Sequence, residues 1–173
     1  MKQSRLRWWD AAAAGGYLFI VFLTAFSLEL TYWTYDLNRV TAVAVLSFIA
    51  GMLIGISNFS KRTARLLLVL YGVAILFLQL VISLDLQPFW SARVIAYSQR
   101  VMNAVRQLLD NRPLEDGILF LTGASILFCW IGLAQGFRSQ REGQPGAGLV
   151  GYFLLFFAIQ YFLPQSSRNY GLI

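Results

Sequence analysis

The chain has 173 residues, of which 58% are hydrophobic and 13% are charged, and its formal net charge is +6 at pH 7. Soluble domains average about 45–50% apolar and about 25% charged residues, so the composition argues against an ordinary soluble domain and indicates a membrane protein. The basic excess does not indicate a nucleic-acid-binding protein, because that would need a clustered basic face on a folded soluble surface.

Five apolar segments make up most of the chain, at residues 11–33, 40–59, 66–84, 117–136 and 146–163. A transmembrane helix needs about 17–25 mostly apolar residues, and each segment reaches that length. The connections are short, so we predict a single membrane domain over residues 1–173. Its fold class is all-α: five transmembrane helices and one amphipathic helix outside the bilayer core. The first segment is too long for the apolar part of a typical signal peptide, and we expect it to be retained.

The first predicted span carries one carboxylate, Glu29, about one turn before its outer end. An ionisable residue inside a span is a candidate functional site, because burying a charge in the bilayer is unfavourable. Two structural interpretations stand beside the functional one. Glu29 reaches the headgroup layer, or it pairs with Arg39 or Arg93.

Small residues repeat every four positions in the second and fourth spans, as Ser47, Gly51 and Gly55 and as Gly132 and Gly136. This spacing places them on one face of each helix, where they allow two backbones to approach closely. We interpret both faces as packing surfaces inside the bundle. The alternative is a seam between two copies of the chain.

The predicted spans also contain two side-chain amides and one thiol. Gln79 and Gln160 are single amides in the third and fifth spans, and we expect each to hydrogen-bond a neighbouring helix. Contact with a bound pigment or quinone is the alternative. Cys129, the single cysteine, lies in the middle of the fourth span and is interpreted as a small apolar filler.

The segment between the third and fourth spans has helical periodicity but too many polar residues to cross a bilayer. Its apolar positions recur at three- and four-residue steps and include Val94, Val101, Val105 and Leu108. We predict an amphipathic helix over about 91–110 that lies along the outer membrane interface with its apolar face toward the lipid. Pro113 ends this helix, and Asp116 is placed to cap the fourth span.

Basic residues in the short segments are distributed unevenly between the two sides of the predicted bundle. Arg39 and Arg168 lie on one side, and eight lie on the other: Lys2, Arg5, Arg7, Lys61, Arg62, Arg65, Arg138 and Arg141. The positive-inside bias therefore predicts a cytoplasmic N-terminus and, after five spans, an extracytoplasmic C-terminus.

The residue types that most catalytic sites require are scarce in this chain. It has no histidine and one cysteine, so a Ser-His-Asp or Cys-His hydrolase site cannot be assembled. Zinc and haem sites usually need histidine or several cysteines, and no GxxxxGK[ST] phosphate loop occurs. We therefore expect a non-enzymatic protein with no catalytic residue, metal or cofactor, although bound lipids or pigments stay open.

The order of these features resembles the N-terminal membrane region of bacterial membrane-anchored transglutaminase-like proteins of the TgpA type. The similar stretches are RWWD before the first span, GMLIGISNFSKRTARLL after the second and FCWIGLAQGFRSQ at the end of the fourth. The resemblance implies a bacterial inner-membrane location. In that family an extracytoplasmic domain with a Cys-His-Asp triad follows these spans. No position here matches the triad, so no catalytic residue carries over, and the resemblance implies a membrane region without the enzyme.

Three functions remain open from the sequence. The first, which we prefer, is a scaffold or accessory subunit that contacts the lipid bilayer and other membrane-protein subunits, with no nucleic acid involved. The second is the membrane anchor of a split or truncated transglutaminase-like enzyme. The third is a small transporter that uses Glu29.

Overall fold

The computed structural model describes residues 8–31, 36–82, 89–110, 117–141, 151–152, 155–156 and 159. In chain order they form helices α1 (Trp8–Glu29), α2 (Asn38–Ile56), α3 (Lys61–Leu76), α4 (Trp90–Leu109) and α5 (Ile118–Arg141), and a π-helical segment, Phe77–Ile82, continues α3. The described residues contain no strand, so this part of the chain is all-α, as the sequence predicts.

Four of these helices are long and apolar enough to cross a membrane: Ala12–Glu29, Asn38–Ile56, Lys61–Val81 and Ile118–Arg141. They correspond to the first four predicted spans and fit an integral membrane protein. Most of the fifth predicted span, 146–163, lies outside the described residues. Gln160 is one of the residues outside them. Within that span, residues 151–152, 155–156 and 159 are helical.

The third helix begins earlier than its apolar segment, which we predicted to start at residue 66. It begins at Lys61, because the hydroxyl of Ser60 accepts a hydrogen bond from the backbone N–H of Thr63 at 3.2 Å and caps the helix. The basic residues after α2 are therefore the first turns of α3, not a loop. The turn between the two helices is correspondingly short, from Ser57 to Ser60.

Helices α2 and α5 form the centre of the bundle and run parallel to each other. Contacts between them advance together along both helices, from Ser47 with Cys129 to Gly51 with Leu133. α1 packs against α2, and α3 packs against both α2 and α5. The largest core cluster joins Val21 and Ala25 of α1 with Phe48 of α2 and Phe128 of α5.

This arrangement gives the bundle two chemically different ends. At one end, which we call the basic end, α2 and α5 finish and α3 begins, and Arg141 donates a hydrogen bond to the carbonyl of Phe59. At the opposite end, α1 ends and α2 begins, and Asp36 lies in the turn just before α2. Asp36 in that turn has a φ of 62°, a left-handed conformation that aspartate tolerates better than most residues.

Helix α4 lies at the end opposite the basic end, against the π-helical segment and α5. The helix is present where the sequence predicts one, but its apolar face does not simply face lipid. Ala104 is 1% exposed, and Tyr97 and Val101 pack against the bundle core. Val101 is half-buried, so the bundle covers part of the side of α4 on which it lies. Val94 and Val105 are half-buried, and Leu108 is exposed.

Candidate functional site

The two glycines of α2 touch the backbone of α5. A Cβ atom built on Gly51 would overlap the carbonyl oxygen of Leu133, and one built on Gly55 would lie 2.9 Å from the carbonyl oxygen of Phe137. Neither neighbour is a flexible side-chain end, so no side chain larger than a hydrogen fits unless a helix moves. The two glycines therefore set how closely α2 and α5 approach.

The two glycines of α5 face the same contact from the other side. A Cβ on Gly132 would lie 3.0 Å from the carbonyl oxygen of Ala44, and one on Gly136 would overlap the carbonyl oxygen of Phe48. The structure thus brings together all five small residues that the sequence singles out, Ser47, Gly51, Gly55, Gly132 and Gly136, in one α2–α5 interface within a single chain.

A thiol lies where three helices meet. The hydroxyl of Ser47 on α2 donates to the sulfur of Cys129 on α5 at 3.2 Å, and that sulfur lies 3.8 Å from the carbonyl oxygen of Gly72 on α3. Cys129 is 2% exposed and Ser47 is 0% exposed. Cys129 is therefore more than an apolar filler, because its sulfur links α2, α3 and α5.

Two other buried hydroxyls lack such a link. Ser125 of α5 and Tyr152 are 0% and 1% exposed, and neither hydroxyl has a hydrogen-bond partner in the structure of the described residues. An unsatisfied buried polar group costs about 1–3 kcal/mol. We therefore expect these two hydroxyls to reduce the stability of the bundle, in contrast to Ser47.

Glu29, the carboxylate singled out in the first span, is part-buried at the end of α1. Its Oε2 accepts a hydrogen bond from the hydroxyl of Thr41 on α2 at 3.3 Å. Among the described residues, the structure thus gives Glu29 a hydroxyl partner, Thr41. The contact holds the end of α1 to the start of α2.

Gln79, the amide of the third span, lies in the π-helical segment and is half-buried. π-Helical turns often occur at functional sites. The structure records no interhelical hydrogen bond for this amide among the described residues. No sequence pattern predicts the change from α to π geometry at Phe77.

Helix α4 carries two apolar rows on opposite sides. One faces the bundle and includes Tyr97, Val101 and Ala104. The other consists of Ile95, Met102 and Leu109, which are 56%, 53% and 77% exposed. An α-helix turns about 100° per residue, so positions 95 and 104 lie on opposite sides of it. We call Ile95, Met102 and Leu109 the outer row.

A hydrogen bond that could not be predicted from the sequence fixes which side of α4 faces the bundle. The hydroxyls of Tyr97 and Thr122 are 2.8 Å apart, and Thr122 also donates to the carbonyl of Ile118 at 2.6 Å. A threonine hydroxyl has one proton, so Tyr97 is the donor to Thr122. Tyr97 thus attaches α4 to α5 near the start of that helix. This attachment determines which side of α4 faces outward.

Comparison with known proteins adds no relative to this description. No family model, no curated protein and no solved structure matches the chain. No group of three or more histidine, cysteine, aspartate or glutamate side chains that could hold a metal ion occurs within the described ranges. The function must therefore be argued from the packing and surfaces of the helices themselves.

Proposed function

We propose that the protein is a non-catalytic, multi-pass membrane protein that acts as a scaffold or accessory subunit in a larger membrane complex. Two features support this proposal: a closely packed α2–α5 core, and a rigidly attached α4 with an apolar row facing away from it. The core supplies a fixed framework, and α4 supplies a surface that a partner protein can cover.

The outer row of α4 is the observation that carries the proposal. A helix that lies on a membrane interface needs one apolar face, and α4 already uses one against its own bundle. The outer row is therefore a second apolar surface, and the exposed Arg106 lies about 20° from Ile95 and about 40° from Met102 around the helix. Methionine and arginine are enriched in protein–protein interfaces relative to the rest of the surface. The partner that fits best has an apolar surface and an acidic side chain opposite Arg106.

The orientation proposed from the sequence is compatible with this arrangement. Lys61, Arg65 and Arg141 line one cavity at the basic end, which the positive-inside bias assigns to the cytoplasm. α4 and its outer row then lie on the extracytoplasmic side of a bacterial inner membrane. A partner of the outer row would have to be another membrane protein or an extracytoplasmic one.

The membrane-anchor alternative uses the same surface with a different partner, a separately encoded transglutaminase-like domain. It rests on the resemblance in the order of sequence features alone. The transporter alternative rests on Glu29, and the bond from Thr41 supplies a structural reason for that carboxylate. We therefore rank both below the accessory-subunit proposal.

Photo-crosslinking in native membranes tests the proposal directly. A photoreactive amino acid replaces Met102 in the outer row, and the matched control replaces Leu66, which is 72% exposed on α3. The proposal predicts one discrete protein adduct from position 102 and lipid adducts from position 66. The mass of the adduct would then identify the partner, including a transglutaminase-like domain if that is what binds.

Lipid adducts from both positions would contradict the proposal. In that case the outer row of α4 contacts the bilayer surface, and α4 is an interfacial helix without a protein partner. Equal protein adducts from both positions would also contradict it, because the contact would then not be specific to α4.

A further inference from the structure

A cavity at the basic end is lined by three cations and an aromatic ring. Its volume is about 320 Å³, and Lys61, Arg65, Phe137 and Arg141 line it. The cations come from the first turns of α3 and the last turn of α5. Like charges repel one another, so a cluster of three cations is stable only when water, counterions or a bound anion screens it.

Arg141 is held in place within this cavity. One terminal nitrogen, Nη2, donates to the carbonyl of Phe59 at 2.5 Å, and the guanidinium lies 5.5 Å from the centroid of the Phe137 ring. The other terminal nitrogen, Nη1, is buried and has no hydrogen-bond partner in the described part of the chain. A fixed guanidinium with one unused buried nitrogen is suited to binding an oxyanion.

The N-terminus of α3 is a second feature of this end of the bundle. It lies at this cavity through Lys61, and the Ser60 side chain caps the N–H of Thr63. The first N–H groups of a helix have no partner within the helix, and the helix dipole favours an anion at this end. The first turn of α3 contains no acidic residue to take that place.

Phe59 connects the first cavity to a second, apolar one. Its volume is about 260 Å³, and it lies between α2 and α3, where Leu53, Ile54, Phe59, Leu67 and Tyr71 are among its lining residues. Phe59 belongs to both neighbourhoods, because it lines the apolar cavity while its carbonyl binds Arg141. An anion site next to an apolar groove matches the two parts of a phospholipid, a charged headgroup and an acyl chain.

We propose that the basic end binds an anionic phospholipid, with its phosphate between Lys61, Arg65 and Arg141 and one acyl chain in the groove lined by Leu53 and Leu67. Basic pockets between transmembrane helices commonly bind anionic lipid headgroups on the cytoplasmic side. The proposal does not depend on the accessory-subunit function, because it concerns the opposite end of the bundle from α4.

Native mass spectrometry of the purified chain in detergent tests this proposal by lipid titration. The probes are phosphatidylglycerol and phosphatidylcholine with the same acyl chains, and inorganic phosphate as a competitor. The proposal predicts tighter binding of phosphatidylglycerol than of phosphatidylcholine, and no displacement by millimolar phosphate. Equal binding of both lipids would overturn it, and full displacement by phosphate would assign the site to free phosphate instead.

A charge-matched pair of double variants locates the site. Lys61→Gln with Arg65→Gln removes two lining cations, whereas Arg62→Gln with Arg138→Gln removes two cations from the same helices that do not line the cavity. The first pair should weaken phosphatidylglycerol binding about 30-fold, from two lost cation–lipid contacts. The control pair should weaken phosphatidylglycerol binding much less. An equal loss of affinity in both double variants would indicate a general surface-charge effect and would overturn the proposed site.

The single variants Lys61→Gln and Arg65→Gln provide the same test if the double variant does not fold. Both side chains are exposed, so their replacement removes no core contact. Each should weaken phosphatidylglycerol binding about fivefold. Wild-type affinity in both single variants would overturn the proposal.

Discussion

The hydroxyl of Ser47 donates to the thiol sulfur of Cys129 at 3.2 Å, and this contact joins α2 to α5 in the buried centre of the bundle. The carbonyl of Gly72 on α3 lies 3.8 Å from the same sulfur. Lipid tails give transmembrane helices little hydrophobic reason to associate, so close packing and interhelical hydrogen bonds must hold them together. The Ser47–Cys129 contact supplies one such bond, and the surrounding glycines supply the close packing.

Replacing Ser47 and Ser125 in turn compares a buried hydroxyl that has a hydrogen-bond partner with one that has none in the described structure. Ser47→Ala should destabilise the bundle by about 0.6 kcal/mol, the average for a hydrogen bond between membrane helices. Ser125→Ala should stabilise it or leave it unchanged, because the hydroxyl of Ser125 has no partner in the described structure. Thermal unfolding of both variants in the same detergent measures the difference, and a stabilising Ser47→Ala would contradict the assignment.

The pairing of Ser47 with Cys129 can be measured by a double-mutant cycle. Ser47→Ala, Cys129→Ala and the combined variant should show a coupling of about 0.6 kcal/mol, because each single change removes the same hydrogen bond. Reversible unfolding in mixed micelles provides the free energies of unfolding of these three variants and of the wild-type chain. Additive effects would mean that the two side chains do not interact.

The glycines of α5 allow a test of close helix packing within one helix. Gly136→Ala places a methyl group against the backbone of α2 and should cost about 1–3 kcal/mol, whereas Gly123→Ala meets no atom within 4 Å. Alanine favours helix more than glycine does, so Gly123→Ala should be neutral or stabilising. Thermal unfolding should therefore rank Gly136→Ala well below Gly123→Ala, and equal midpoints would contradict the α2–α5 interface.

The hydroxyl of Tyr97 should control the attachment of α4. Tyr97→Phe removes the donor to Thr122 and should increase amide hydrogen exchange in α4 while leaving α2 protected. Ser98→Ala is the matched control, because Ser98 is exposed and bonds only the carbonyl of Ile95 in its own helix among the described contacts. Unchanged exchange in Tyr97→Phe would show that the bond does not hold α4.

Glu29 should act as a structural acceptor for Thr41. Glu29→Gln keeps a side-chain oxygen that can accept this bond, so it should retain most of the stability, whereas Thr41→Val removes the donor and should lower the unfolding midpoint. The two midpoints in one detergent provide the comparison. A larger loss in Glu29→Gln than in Thr41→Val would mean that the negative charge itself matters, which would revive the transporter alternative.

Much of the helical framework could be predicted from the sequence because apolar length is a strong signal. The segments at 40–59 and 117–136 correspond to α2 and α5, and the four-residue spacing singled out Gly51 and Gly136 as packing positions. The pairing of these two faces with each other could not be predicted, because many helices carry small residues at this spacing. Only the three-dimensional arrangement decides which face meets which.

The details that the sequence missed depend on contacts between distant residues. The bond from Tyr97 to Thr122 and the position of Cys129 between Ser47 and Gly72 join separate helices, and no local pattern encodes them. The start of α3 was predicted too late for a different reason. The apolar pattern begins after the basic first turns, whereas the cap at Ser60 sets the true start.

The central claim is that this chain is a subunit of a larger membrane complex, and the mass of its native assembly tests that claim most directly. The chain is extracted from native membranes in a mild detergent, and the intact particle is measured by native mass spectrometry with every component identified. The account predicts that a partner protein is present in a fixed stoichiometry. It also predicts that replacing Met102 with a charged residue causes this partner to dissociate. A lone 19.5 kDa chain carrying only lipid would contradict it.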